Sequence, residues 1–277
     1  MPLSVVDLYA KILPRTNCKD CGFPTCIAFA GMVVSEKLPL KNCPHIKPEF
    51  LKDAQKELDE QYKQGKWLKK DMAQEALAYA KKQTASIKAE DVALRIGGEL
   101  INIEGVDHIQ LPYFNQHILI SNDKVVDDSG KELTRNEQTF VYIHIAQGGI
   151  KKPTGNMKSF KEFPNTVSKV ASMKSYVEEP LKKAFTSNVD KLRTACKSSG
   201  GKNVIEQYES CDLAFYFQVF PKIPVTLLFW DQGEGFDADA KLLFDETVIE
   251  HLDIESIIFL SEHLQKMLVN LFSRSNL

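Results

Sequence analysis

Cys18, Cys21, Cys26 and Cys43 form the spacing C-x2-C-x4-C-x16-C near the start of this 277-residue chain. Thiolate is the soft ligand that iron-sulfur clusters and zinc share. A C-x2-C turn brings two sulfurs onto one side of a tight loop. Gly22 follows the second cysteine and lets backbone amides approach a sulfur closely. Amide donors to cluster sulfurs help set a reduction potential. Pro24 stiffens the loop before Cys26. The run Ile27–Val34 reads as a short apolar helix. The amides at its start favour the negative charge of a thiolate-cluster complex. Cys43 returns the chain as the fourth ligand.

The pattern therefore predicts a [4Fe-4S] cluster on these four cysteines. Zinc is the competing occupant. Structural zinc uses two C-x2-C pairs, or cysteine and histidine pairs. One such pair is present here, and the nearest histidine, His45, stands two residues beyond Cys43. The four-residue gap to Cys26 suits the wider span of a cubane. Cys196 and Cys211 stand alone and read as inert thiols. Cysteines bunched at one end of a long chain argue against a secreted disulfide scaffold.

The elements that position the cysteines come next. Ser4 with Asp7 at N3 predicts a capped helix through Ile12, ended by Pro14. Pro39, Pro44 and Pro48 mark irregular chain. Residues 49–86 are rich in helix formers, with a break expected at Gly65. From Asp91 the period changes. "ALRIGGELINIEG", "HIQLPYF", "HILIS" and 124–126 read as strands, and "DDSGKEL" as a turn. A helix is expected over 135–147, ended by Gly148-Gly149. "PNTVSKVASMKSYVEEPLKKAF" and "NVDKLRTACKSS" read as further helices. "CDLAFYFQVF" and "PVTLLFWD" read as the most apolar strand pair, whose aromatics are core packing. "DADAKLLFDETVIEHL" and "DIESIIFLSEHLQKMLVNLF" read as amphipathic helices, Asp237 and Asp253 serving as caps. Strands and helices do not alternate regularly, so the class is α+β. The expected division is a cluster domain at 1–50, a helical connector at 51–88 and an α+β domain at 89–277.

Composition excludes several classes. Apolar residues are 43% and charged residues 26%, with a formal net charge of -2. That balance gives no pull toward nucleic acid or membrane. No apolar run approaches the length of a membrane span, and the N-terminus lacks a signal-peptide pattern. A cytoplasmic location is the expectation. "RIGGELINIEG" matches neither a dinucleotide fingerprint nor a P-loop, and "DQGEGFDADAK" lacks the ligand spacing of a calcium loop. His251 and His263 read as surface or satisfied histidines. Lys69-Lys70 and Lys81-Lys82 read as solvated helix faces that could also dock an acidic redox partner. No catalytic residue can be named.

"YAKILPRTNCKDCGFPTCIAFAGMVVSEKLPLKNCPHI" resembles the N-terminal [4Fe-4S] domain of the large (gamma) subunit of corrinoid iron-sulfur proteins of carbon monoxide dehydrogenase/acetyl-CoA synthase. It also resembles the four-cysteine domain of the ferredoxin-like subunit of the Rnf electron-transport complex. The matching features are Leu13-Pro14, Asn17-Cys18, Cys21-Gly22, Thr25-Cys26, Ala28-Phe29-Ala30 and Cys43-Pro44. The resemblance is close over about residues 1–50 and implies a low-potential cluster on the four cysteines. Beyond it, "SFKEFP", "FPKIPVTLLFWDQGEGFDADAKLLFD" and "EHLDIESIIFLSEHL" resemble an uncharacterised iron-sulfur family of anaerobes, with no activity to carry over. The implied role is one-electron transfer in anaerobic, corrinoid-linked one-carbon chemistry, with a corrinoid protein or oxidoreductase as partner. A corrinoid bound by this chain itself has no supporting motif. Two rivals stand beside this role: a corrinoid-dependent methyltransferase component and a non-catalytic redox sensor.

Overall fold

The computed structural model describes residues 3–64, 72–233 and 235–274. Gly65, where a helix break is expected, and Lys69-Lys70 lie outside them. By its internal contacts the chain divides into two compact units, 1–71 and 72–277. The division falls inside the stretch read as a connector.

The first unit is helical. Ser4 and Asp7 form the expected reciprocal capping box on α1 (Val5–Asp7), which continues as a π turn over Leu8–Ile12. The Leu13 N–H closes that turn on the Leu8 carbonyl at 2.9 Å. Then come α2 (Cys26–Glu36), a 3-10 turn (Leu40–Asn42) and α3 (Pro48–Lys63). Leu8, Phe29, Ala30, Val33, Leu40 and Leu58 are wholly buried and form one core. Two side chains of α3 lock it: Tyr62 donates to the Val33 carbonyl at 2.6 Å, and Gln55 Oε1 accepts from the Leu40 N–H at 2.9 Å.

The second unit is mixed α+β. It starts with α4 (Met72–Thr84) and α5 (Ala89–Ile96). An antiparallel meander follows in the order β1 (Glu99–Ile103), β2 (Val106–Tyr113), β3 (Gln116–Ile120), β4 (Val125–Asp127). After α6 (Arg135–Gln147), a second antiparallel sheet has the order β5-β9-β8-β7-β6. Its strands are β5 (Met157–Ser159), β6 (Lys202–Asn203), β7 (Leu213–Phe220), β8 (Ile223–Trp230) and β9 (Asp239–Asp245). Helices α7 (Val170–Met173), α8 (Glu179–Phe185), α9 (Val189–Ser198) and α10 (Ile254–Arg274) complete the unit. The Phe114 N–H donates to the Val219 carbonyl at 3.0 Å and stitches the two sheets together. β7 and β8 are the apolar heart: Phe215, Phe217, Phe220 and Phe229 are buried. No described helix is long and apolar enough to cross a membrane.

Three expectations need correction. Residues 93–96 end helix α5 instead of opening a strand, because Val92, Ala93 and Ile96 are buried at helical spacing. Gly97, at φ +86°, closes that helix, and the strand starts at Glu99. "DADAKLLFDETVIEHL" is β9 plus a 3-10 turn (Glu246–Glu250), not a helix. Ala238, Ala240, Leu242 and Phe244 are buried at period two, which overrides the helix propensity of Ala, Lys and Leu. Asp237 therefore caps nothing; Asp245 accepts from the Thr247 N–H at 3.0 Å to cap the 3-10 turn. The stretch from Asn165 to Phe185 is a 3-10 turn (Val167–Lys169), α7, a π turn (Lys174–Glu178) and α8, not one helix. At α10 the expectation holds: Asp253 Oδ1 accepts from the Ser256 N–H at 2.7 Å.

His251 is also not a surface histidine. It is wholly buried 5.5 Å from the buried His144 ring, which stacks on Phe220 at 5.1 Å. None of the four ring nitrogens has a hydrogen-bond partner of ordinary geometry. Burial and the neighbouring His251 hold His144 neutral, its pKa lowered to about 3; the backbone of His251 offsets part of this. Burial also pushes His251 down. The unfolded chain protonates both near pH 6.5. Between there and about pH 3 the unfolded state binds protons that the folded state refuses, so stability rises with pH across that window and is complete above it. His144 alone is expected to cost the second unit about 2 kcal/mol on going from pH 7 to pH 5. Hydrogen exchange of the β7 and β8 amides, corrected for intrinsic rates, reads this loss. His144→Leu should flatten it.

Candidate metal centre

The cysteine loop is built from strained backbone. Arg15, Asn17, Lys19 and Gly22 all have left-handed φ, at 61°, 53°, 71° and 82°. Glycine adopts that region freely and asparagine tolerates it; for arginine and lysine it costs about 1–2 kcal/mol each. Such strain persists where the surroundings fix it, and it concentrates at functional sites. Here a side chain does the fixing. Asn17 Oδ1 accepts the Cys26 N–H at 2.8 Å, so the residue before the first cysteine holds the backbone of the third. The Gly22 N–H closes a turn on the Lys19 carbonyl at 2.8 Å.

Cys26 opens α2, where the helix dipole favours a thiolate. Thr25 caps that helix by accepting from the Ala28 N–H at 3.2 Å. Cys43 follows the Leu40–Asn42 turn, and the nearby His45 backbone amide offsets part of the upward push that burial puts on its thiol. Across the site, His45 Nε2 meets the Asp20 carboxylate at 2.5 Å. Both partners are about half exposed, so this pair adds little stability, but it pins the first cysteine loop to the turn after the fourth.

The four cysteines grade from core to surface. Cys26 and Cys43 belong to the buried core, Cys21 packs against it, and Cys18 is exposed. Burial pushes the Cys43 thiol up, and Cys21, Cys26 and Cys18 are each near enough to push it further. The other three thiols therefore all lie in the neighbourhood of Cys43. The four sulfurs do not crowd into one tetrahedron: among the described residues, the one trio of ligand atoms lying within 4.8 Å of one another is Cys18 with Asp20 and His45. Four thiolates on a single zinc would stand about 3.8 Å apart, from a bond of ~2.3 Å. The loop anchor Asn17 and the Asp20–His45 pair escape a reading based on ligand spacing. The signal for Asn17 is its residue type, tolerant of left-handed backbone and able to bond a nearby amide.

Cys196 and Cys211 are not part of this group. Cys196 is buried in the second unit and burial pushes its thiol far up; Cys211 is pushed up for the same reason.

Comparison with known proteins finds one family-model match inside each unit. Residues 13–45, which hold all four cysteines, match a family model described as "Putative Fe-S cluster". Residues 88–267 match one described as "Domain of unknown function (DUF3786)". The acetyl-CoA decarbonylase/synthase complex subunit gamma of Methanocaldococcus jannaschii is 42% identical over 55 residues, 20% of this chain and 11% of the relative. The corrinoid/iron-sulfur protein large subunit of Moorella thermoacetica is 48% identical over 46 residues, 17% of this chain and 10% of the relative. The gamma subunit of Methanothermobacter thermautotrophicus is 24% identical over 179 residues, 61% of this chain and 33% of the relative, so that alignment runs past the first unit. The chain thus spans between a tenth and a third of the length of these relatives. No solved structure matches.

The Asn17 anchor carries a direct prediction. Asn17→Ala removes one hydrogen bond and places alanine in left-handed backbone, which together cost about 1–2 kcal/mol. Hydrogen exchange at the Cys26 amide should accelerate by roughly tenfold or more, while β7 and β8 amides stay unchanged. Equal protection of Cys26 in both proteins would show that Asn17 does not hold the loop.

Proposed function

This chain belongs to the family of the domain of unknown function DUF3786, whose matched region leaves Cys18, Cys21, Cys26 and Cys43 outside it, and we propose that the unit holding these four cysteines supplies its redox function. In this reading Cys18, Cys21, Cys26 and Cys43 ligate one [4Fe-4S] cluster that serves one-electron transfer to a protein partner in anaerobic one-carbon metabolism. The observation that carries it is the gathering of four thiols at one small core, Cys26 and Cys43 within it, Cys21 against it, and Cys18 at the surface near Cys43. The iron-sulfur match over 13–45 and the corrinoid and complex-subunit names of the relatives support the setting.

A bound cluster supplies a one-electron couple. The chain's own residues shape where and how strongly it is held. Cys26 and Cys43 hold it from the apolar side, where neutral burial and the α2 dipole both act on the charge it carries. Exposed Cys18 leaves one edge at the surface, which a partner must approach. Arg15, Lys19, Lys37, Lys41 and Lys47 are exposed along the same segment, whose acidic residues are Asp20 and Glu36. That surplus steers an acidic partner surface, and encounter should slow as salt rises.

Cys26→Ala tests the ligand set. Purified without oxygen, the variant should lose the four irons and four sulfides of a complete cluster, while β7 and β8 keep their exchange protection. Cys196→Ala should keep the full metal content. A Cys26→Ala protein that retains four irons and an unchanged visible spectrum would remove Cys26 from the ligand set.

A further inference from the structure

A cavity of 750 Å³ opens in the second unit between the start of α6, the end of α9 and one face of α10. That size suits a small-molecule ligand. At its wall stands Glu137, with both carboxylate oxygens engaged. Oε2 accepts the Thr134 N–H at 3.0 Å and the Thr134 hydroxyl at 2.6 Å. Oε1 accepts the hydroxyl of the wholly buried Tyr113 at 3.2 Å and faces His263 Nδ1, also at 3.2 Å. A carboxylate held this way keeps the proton of a neutral imidazole on Nδ1. The basic nitrogen of His263 is then Nε2, on a residue that lines the cavity.

The other groups facing His263 are the rings of Tyr113 and Phe114, each 5.8 Å away, and Lys266. Burial and Lys266 push the imidazole down and Glu137 pulls it up; the net direction is down, so the ring is neutral at pH 7.

Two further observations point to a ligand. Ser199 lines the cavity, is 3% exposed, and its hydroxyl has no hydrogen-bond partner. A buried orphan hydroxyl destabilises the free protein and is retained where something else satisfies it. The lining is also cationic: Lys131, Arg135 and Lys266 against the single carboxylate of Glu137. Lys266 also reaches Glu262 at 3.0 Å.

We propose that this cavity is a binding site for a small oxyanion-bearing organic molecule. Its anionic group is met by Lys131, a hydrogen-bond donor on it is accepted by His263 Nε2, and the Ser199 hydroxyl completes the set. Glu137 and Tyr113 are positioning residues that fix the imidazole. The site is independent of the cluster reading and stands if that reading fails.

Pyrophosphate is the probe, added to the full chain purified without oxygen. Binding is followed by the imidazole ¹⁵N signals of His263. A saturable shift of His263 is expected, weakened about tenfold in Lys131→Gln. Ser199→Ala separates a ligand contact from a structural one. It should leave the thermal midpoint of the free protein equal or higher, and still weaken the probe. No saturable response at His263 up to about 10 mM would overturn the proposal. So would equal affinity in both variants, or a Ser199→Ala protein that melts lower with its affinity unchanged.

Discussion

Four thiols gathered at one small apolar core impose the governing constraint on the first unit. Ionised together they repel, and burial opposes each charge; the upward push on Cys43 from burial and from its three neighbours expresses both effects. In the proposed reading, cations bound by the four thiolates would turn that repulsion into attraction and make metal binding and local folding one free energy. The backbone around the thiols is arranged to meet the same constraint. The strained loop from Arg15 to Gly22 is held by Asn17, and α2 aims its positive end at Cys26. Leu8, Phe29, Leu40 and Leu58 form the apolar floor on which the geometry rests.

The second unit places its polar groups differently. Its core is aromatic and continuous, centred on β7 and β8, yet it encloses His144, His251 and Glu137. Glu137 satisfies its carboxylate through Thr134, Tyr113 and His263, so its burial is supported. The two buried histidines have no such support and are kept neutral instead. One apolar framework thus holds a satisfied polar network and an unsatisfied pair. The histidine pair weakens the fold as pH falls, whereas the Glu137 network anchors α6 to β2 and α10.

Turn chemistry is local, and it was legible. The Ser4–Asp7 box, the Asp253 cap and the apolar β7–β8 pair could all be read from neighbouring residues. The misreadings came where tertiary burial decided. β9 is rich in helix formers, but its period-two burial between β5 and β8 makes it a strand. The end of α5 carries β-branched Ile96, yet its buried face has helical spacing. His263 looks like any histidine on an amphipathic helix. Its partner Glu137 lies far away in sequence, and only folding joins them.

The most direct test of the central claim is metal and sulfide analysis of the oxygen-free wild-type protein, with an EPR spectrum after dithionite reduction. About four irons and four sulfides per chain, with a reduced-cluster signal, is the result this account predicts. One zinc per chain with no sulfide would contradict it, and would make the cysteine group a structural metal site with no redox role.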